Sequence, residues 1–160
     1  MIKVGDRIPS GTFKELSDEG FNDVSTDSVF KGRKVVMFGI PGAFTPTCSQ
    51  QHLPGYVAKA ADLKSKGIDE IVCMAVNDAF VMKAWGDSQG APGKVRMLAD
   101  GNATLSKAMG LDLDASGFGM GVRCHRFSML VEDGVVKTLH VEPDPGALDK
   151  AACEVILREV

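Results

Sequence analysis

The sequence predicts an α/β fold, a central mixed β-sheet flanked by helices. Two short β-branched, apolar runs, residues 34–40 and 71–76, are each followed by a stretch with helical periodicity, the βαβα order of parallel strands joined by crossover helices. A later pair of β-rich runs, 127–132 and 135–141, is joined by Asp133-Gly134, a strong hairpin signal. With 160 residues, 44% hydrophobic and 24% charged, the chain can bury one core of useful size, and it reads as a single domain over 1–160.

In chain order, residues 4–13 and the segment around 21–24 suggest a small hairpin ahead of the sheet. Residues 34–40 lie between Gly32 and Pro41 and read as a strand buried on both faces, stopped by Pro41-Gly42. From Thr47 to about Lys66 the apolar positions Leu53, Val57, Ala60, Ala61 and Leu63 recur at helical spacing. Gly67 ends that helix, and Pro54 inside it predicts a bend. Asn77-Asp78 then caps an amphipathic stretch over 79–85. A weaker strand, 95–98, leads through Asp100-Gly101-Asn102 to a helix over 103–109. After the hairpin, residues 143–146 break the chain and 148–160 form an amphipathic closing helix. Parallel pairs first and a hairpin extending the sheet later is the order of a thioredoxin-like fold.

Composition excludes several functions. The 18 Lys and Arg are scattered against 21 Asp and Glu, a net charge of −3, so there is no basic block for nucleic acid. The longest apolar runs fall far short of the roughly 18 residues of a membrane span. The first nine residues resemble neither a signal peptide nor a transit peptide, so the chain as given reads as cytoplasmic; a chloroplast or mitochondrial protein that has lost its targeting peptide would look the same. Cysteines stand at 48, 73, 124 and 153 with no C-x-x-C pair and no Cys/His cluster, which argues against bound metal and for a reducing compartment.

Chemistry concentrates in Pro41-Gly42-Ala43-Phe44-Thr45-Pro46-Thr47-Cys48, which sets a cysteine just past the carboxyl end of a buried strand and at the amino end of a long helix. The unpaired N–H groups and positive dipole end there favour a thiolate. Ionisation alone is not enough. An unperturbed thiol is roughly 3% ionised at pH 7, so full ionisation gains about 30-fold, whereas enzymes reach ~10⁶-fold or more. Donors aimed at charge developing in the transition state must supply the rest. Thr45 places a hydroxyl able to donate to the sulfur or to an incoming oxygen, and Pro41 and Pro46 stiffen the loop.

The pattern P-x-x-x-T-x-x-C over Pro41 to Cys48 resembles the active-site segment of the peroxiredoxins. The longer string P-G-A-F-T-P-T-C-S, with His52-Leu53-Pro54-Gly55-Tyr56, is similar to their type II, or fifth-class, branch. Further matches at Val76-Asn77-Asp78-Ala79-Phe80, Trp85-Gly86, Leu98-Ala99-Asp100, Arg126-Phe127-Ser128-Met129 and Val141-Glu142-Pro143-Asp144 carry the resemblance along nearly the whole chain. It implies a thiol peroxidase acting on hydrogen peroxide and organic hydroperoxides, with no metal or organic cofactor. Cys48 would be the peroxidatic nucleophile that becomes a sulfenic acid, and Pro41, Thr45 and Arg126 would complete the pocket. Gly42, Phe44 and Phe118 are expected as pocket walls, with Phe80 a further wall.

The resemblance leaves recycling open. The 25-residue spacing of Cys48 and Cys73 is that of the peroxidatic and resolving pair in plant type II members, but a strand offset of roughly 10 Å requires the helix to unwind first. Cys124, beside Arg126, reads as the most accessible spare thiol. Cys153 lies a few residues beyond the resolving position of animal members, on a helical face with Asp149 and Ile156. Glutathione, a glutaredoxin or a thioredoxin would serve as reductant. By analogy the chain forms a homodimer, with Phe44, Phe80 and Trp85 as contacts. His52, at i+4 from Cys48, raises a Cys/His protease pair, but no orienting residue accompanies it and a role in packing or subunit contact is the simpler reading. The alternative function is a peroxide-sensing redox relay on the same fold. A C-x-x-C oxidoreductase is disfavoured because the segment reads T-x-x-C.

Overall fold

A computed structural model describes residues 1–160. Its strands are β1 (Thr12–Ser17), β2 (Gly20–Ser25), β3 (Lys34–Ile40), β4 (Glu70–Ala75), β5 (Arg96–Ala99), β6 (Asp112–Asp114), β7 (Val122–Cys124), β8 (Phe127–Glu132) and β9 (Val135–Val141). Its helices are α1 (Thr26–Phe30), α2 (Leu53–Ser65), α3 (Ala79–Ser88), α4 (Thr104–Ala108) and α5 (Cys153–Glu159). Seven strands form one mixed sheet in the order β2-β1-β5-β4-β3-β8-β9, and β6 and β7 form a separate two-stranded hairpin.

Strand β3 sits near the middle, parallel to β4 and antiparallel to β8. Being covered on both faces, it carries no polar alternation and is buried from Val35 to Ile40. Alternation along the strands divides the core in two. Val36, Phe38 and Ile40 face α2, α3 and α5 with Tyr56, Leu63, Cys73 and Trp85, whereas Val35 and Met37 face α1 and α4 with Phe13, Phe30, Leu105 and Leu111. Gly39 is required by a close approach, since a Cβ there would lie 2.1 Å from Cε1 of Phe127 on β8.

Several expectations shift. The first hairpin strand is Thr12–Ser17 rather than 4–13, and it joins the main sheet by pairing with β5. Asp78 caps α3 by accepting the Val81 N–H, while Asp100 accepts from the Leu105 and Ser106 N–H groups to organise α4. Instead of a plain bend at Pro54, residues Cys48–His52 form a π-helical turn that runs straight into α2. Proline lacks the N–H of an α-helical ladder, and a wide turn ahead of it accommodates the gap. The closing helix begins at Cys153 and not at 148. The buried Glu142 carboxylate accepts the Asp149 and Ala151 N–H groups, which holds that stretch in turns. Cys153 therefore shares no helix with Asp149, and it is buried. No helix is long and apolar enough to cross a membrane.

Candidate active site

Three segments meet at Cys48: the turn after β3, the π-helical turn itself, and the start of β8. Register brings the last of these close. Gly39 on β3 pairs with Phe127, so Arg126 enters the sheet beside the carboxyl end of β3. Cys48 is buried without exposed surface, and Arg126 Nη2 donates to its Sγ at 3.1 Å.

Arg126 is itself buried, and its donors are used on three partners. Nη2 also reaches the Pro145 carbonyl at 3.1 Å, and Nη1 donates to His52 Nδ1 at 2.9 Å. Arginine has no acceptor, so His52 Nδ1 must be unprotonated. Nε2 then carries the proton and donates to the Ala151 carbonyl at 3.1 Å. The same carbonyl accepts the Tyr56 hydroxyl at 3.1 Å. Burial first, and the Arg126 charge second, push the His52 pKa down to about 3. The imidazole is thus neutral at working pH; with both ring nitrogens engaged and the ring buried, it is neither a protease-like base nor a subunit contact.

The turn before the cysteine is constrained from several sides. Ala43 N–H donates to Asn77 Oδ1 at 3.0 Å, so Asn77 anchors this turn while its neighbour Asp78 does the capping. Phe44 adopts φ 65°, a left-handed conformation uncommon for a bulky residue, and its ring is exposed. Thr45 Oγ1 donates to the Gly42 carbonyl at 2.6 Å rather than to the sulfur, which corrects the expected contact. Gly42 is tightly enclosed, because a Cβ there would lie 3.1 Å from Thr45 Cγ2 and 3.2 Å from both Arg123 Nη1 and Met120 Cε. Thr47 Oγ1 donates to the Gly146 carbonyl, tying the helix start to the segment after β9.

The other thiols are all free and buried. Cys124 is not the accessible one expected: strand pairing in β7 turns it inward, where its S–H donates to the Ile40 carbonyl at 3.1 Å. Burial pushes the Cys124 and Cys153 thiols up to about 12 and the Cys73 thiol well above its usual range. Trp85 is fully buried, its Nε1 donating to Ser49 Oγ at 3.0 Å, so it cannot be a dimer contact. Phe118, in contrast, is 78% exposed at the tip of the β6/β7 hairpin.

A buried cysteine at a helix start is thus held by a buried arginine at the start of an antiparallel strand, in a chain that has relatives along nearly its whole length. The Redoxin family model covers residues 3–156. The chain belongs to the peroxiredoxins. Peroxiredoxin-2E-2, chloroplastic, of Oryza sativa subsp. japonica is 45% identical, over 98% of this chain and 72% of the relative. Peroxiredoxin-2D of Arabidopsis thaliana is 44% identical, over 98% of this chain and 97% of its own. Reduced Prx3 of Vibrio vulnificus, solved in complex with hydrogen peroxide, superposes with a TM-score of 0.94 at 48% identity, covering 99% of each chain. The thioredoxin-like peroxiredoxin fold read from the sequence is thereby established, with thiol-dependent peroxidase activity.

His52, Asn77 and the carbonyls of Pro145 and Ala151 were not legible as site groups. The spacing of His52 from Cys48 was visible, but nothing in the sequence ties it to Arg126.

Proposed function

We propose that this peroxidase reduces hydrogen peroxide and organic hydroperoxides with Cys48 as nucleophile, Arg126 as the electrostatic partner, and Pro41 and Thr45 shaping the turn beside it. The observation that carries the reading is the 3.1 Å contact of Arg126 Nη2 with Cys48 Sγ. The thiolate attacks the terminal peroxide oxygen, the O–O bond breaks, and the second oxygen leaves with a proton as water or alcohol; Cys48 is left as a sulfenic acid. The guanidinium fork can stabilise the thiolate and then the charge on the departing oxygen. Gly42, Phe44 and Phe118 are read as the near walls of the approach.

Recycling draws on an external thiol, supplied as glutathione or by a glutaredoxin or thioredoxin, because the other three cysteines are buried and protonated. Internal resolution by Cys73 or Cys153 is the second reading, favoured by their sharing one core cluster with Cys48. Either route requires the π-helical turn to open. A homodimer is proposed through Phe44 and Phe80, both exposed, with Phe21 stacked on Phe80 at 5.5 Å. The chloroplastic relatives support an organellar location beside a cytoplasmic one. Intact mass after one equivalent of hydrogen peroxide tests the scheme. A gain of about 16 Da that Cys48→Ser abolishes supports it, whereas a loss of about 2 Da that vanishes in Cys73→Ser or Cys153→Ser selects internal resolution. An unmodified Cys48 refutes it.

A further inference from the structure

Arg123 stands beside the turn that carries the site and makes no hydrogen bond to Cys48. It pairs with Leu113 across the β6/β7 hairpin, and its Nε donates to the Met120 carbonyl at 3.0 Å. Its Nη1 and the Met120 methyl both lie against Gly42, between Pro41 and Thr45. None of the ion pairs in the protein includes it. Strand alternation explains why: Asp112 and Asp114 pair with Cys124 and Val122, so their side chains project to the face opposite Leu113 and Arg123. Asp144, in the segment past β9, directs Oδ1 to the Gly146 N–H. With Nε occupied, Arg123 still has its two terminal nitrogens, whose N–H groups suit a carboxylate.

We propose that Arg123 recognises a carboxylate on the thiol that reduces oxidised Cys48, so that the co-reactant of this site is a small carboxylate-bearing thiol. This rests on the peroxidase reading, because it needs a sulfenic acid at Cys48. The carboxylate pairs with Arg123 at the rim while the thiol sulfur attacks the Cys48 sulfur. An S–S bond forms and the S–O bond breaks. The hydroxyl leaves as water with the proton of the incoming thiol, which is oxidised as the sulfenic acid is reduced. Peroxide reduction does not use this contact; recognition of the reductant does.

The test is stopped-flow reaction of the preformed sulfenic acid with three thiols of similar size: mercaptopropionate, an anion; mercaptoethanol, neutral; and cysteamine, a cation. Wild type, Arg123→Gln and Arg123→Lys are compared as full chains, and each rate is expressed relative to mercaptoethanol on the same protein. The relative rate for mercaptopropionate is expected to fall about tenfold in Arg123→Gln, and to fall likewise in wild type at about 1 M salt. Arg123→Lys should retain most of it, and cysteamine should move the opposite way. Equal relative rates for mercaptopropionate in wild type and Arg123→Gln overturn the proposal. Intact mass of the same samples separates this from a deeper failure: if Cys48 gains no oxygen before thiol is added, the peroxidase reading itself falls.

Discussion

His52 and Arg126 are joined by a 2.9 Å hydrogen bond in which the histidine is the acceptor. A protonated imidazole could not accept it, so the arginine that reaches Cys48 is held correctly only while His52 is neutral. His52 acts through Arg126 as a positioning residue.

Stability should carry the signature of that neutral histidine. Folded His52 takes a proton near pH 3, against 6.5 for an unperturbed imidazole, so between these values the unfolded chain binds more protons. Its contribution is complete above 6.5 and is lost as pH falls through the folded value, by at most about 1.4 kcal/mol per pH unit. Urea unfolding of wild type and His52→Gln from about pH 7 to pH 4 should show the steeper loss in wild type. Parallel curves would contradict the assignment.

Substituting Arg126 by Lys keeps the charge but not the fork that serves Cys48, His52 and Pro145 together. The peroxide step, followed by single-turnover kinetics, should slow about 10²-fold or more. Loss of only a few-fold would mean that charge alone suffices.

The Glu142 carboxylate accepts two N–H groups in the segment that supplies the Ala151 carbonyl to His52. Glu142→Ala is expected to cost about 2 kcal/mol and to accelerate amide exchange at Asp149 and Ala151. Activity should fall with it, because His52 loses its fixed acceptor.

At Gly39 a methyl group would meet the Phe127 ring at 2.1 Å. Gly39→Ala should destabilise the fold by about 1–3 kcal/mol and slow the peroxide step, since Phe127 directly follows Arg126. A thermal melt and the peroxide rate, measured together, check both halves.

If the exposed Phe80 joins two copies of the chain, Phe80→Glu should convert a dimer to monomer at micromolar concentration while leaving the far-UV spectrum intact. Sedimentation velocity of the reduced protein decides it; a wild-type monomer would refute the dimer.

The sheet and most helices were legible because their signals are local. Val35, Val36 and Ile40 are β-branched in a buried run, Asp78 is a cap, and Asp133-Gly134 is a turn in any context. The closing helix is shorter than its amphipathic spacing predicts, because that spacing is local, whereas the contacts that stop it come from Glu142, outside the stretch. Cys124 is buried, where its place in the sequence predicts an accessible thiol, for a related reason. Its inward direction is set by pairing with Asp112 across the small hairpin, a register the sequence did not reveal. Cys48, Thr45 and Arg126 stood out through a shared pattern, but the route from Arg126 through His52 to Ala151 spans three distant segments and leaves no spacing to read.

The π-helical turn has a geometric consequence. Such a turn fits one residue more than an α-helix would, and each residue of an α-helix advances by about 100°. Were the extra residue removed, everything ahead of the turn would swing by that angle relative to α2, and the sulfur would leave its guanidinium without any side chain having changed. The aim of the nucleophile is therefore set by a count of residues between Cys48 and Pro54. A single deletion there should silence an otherwise folded chain, where an exposed loop of the same length would absorb it.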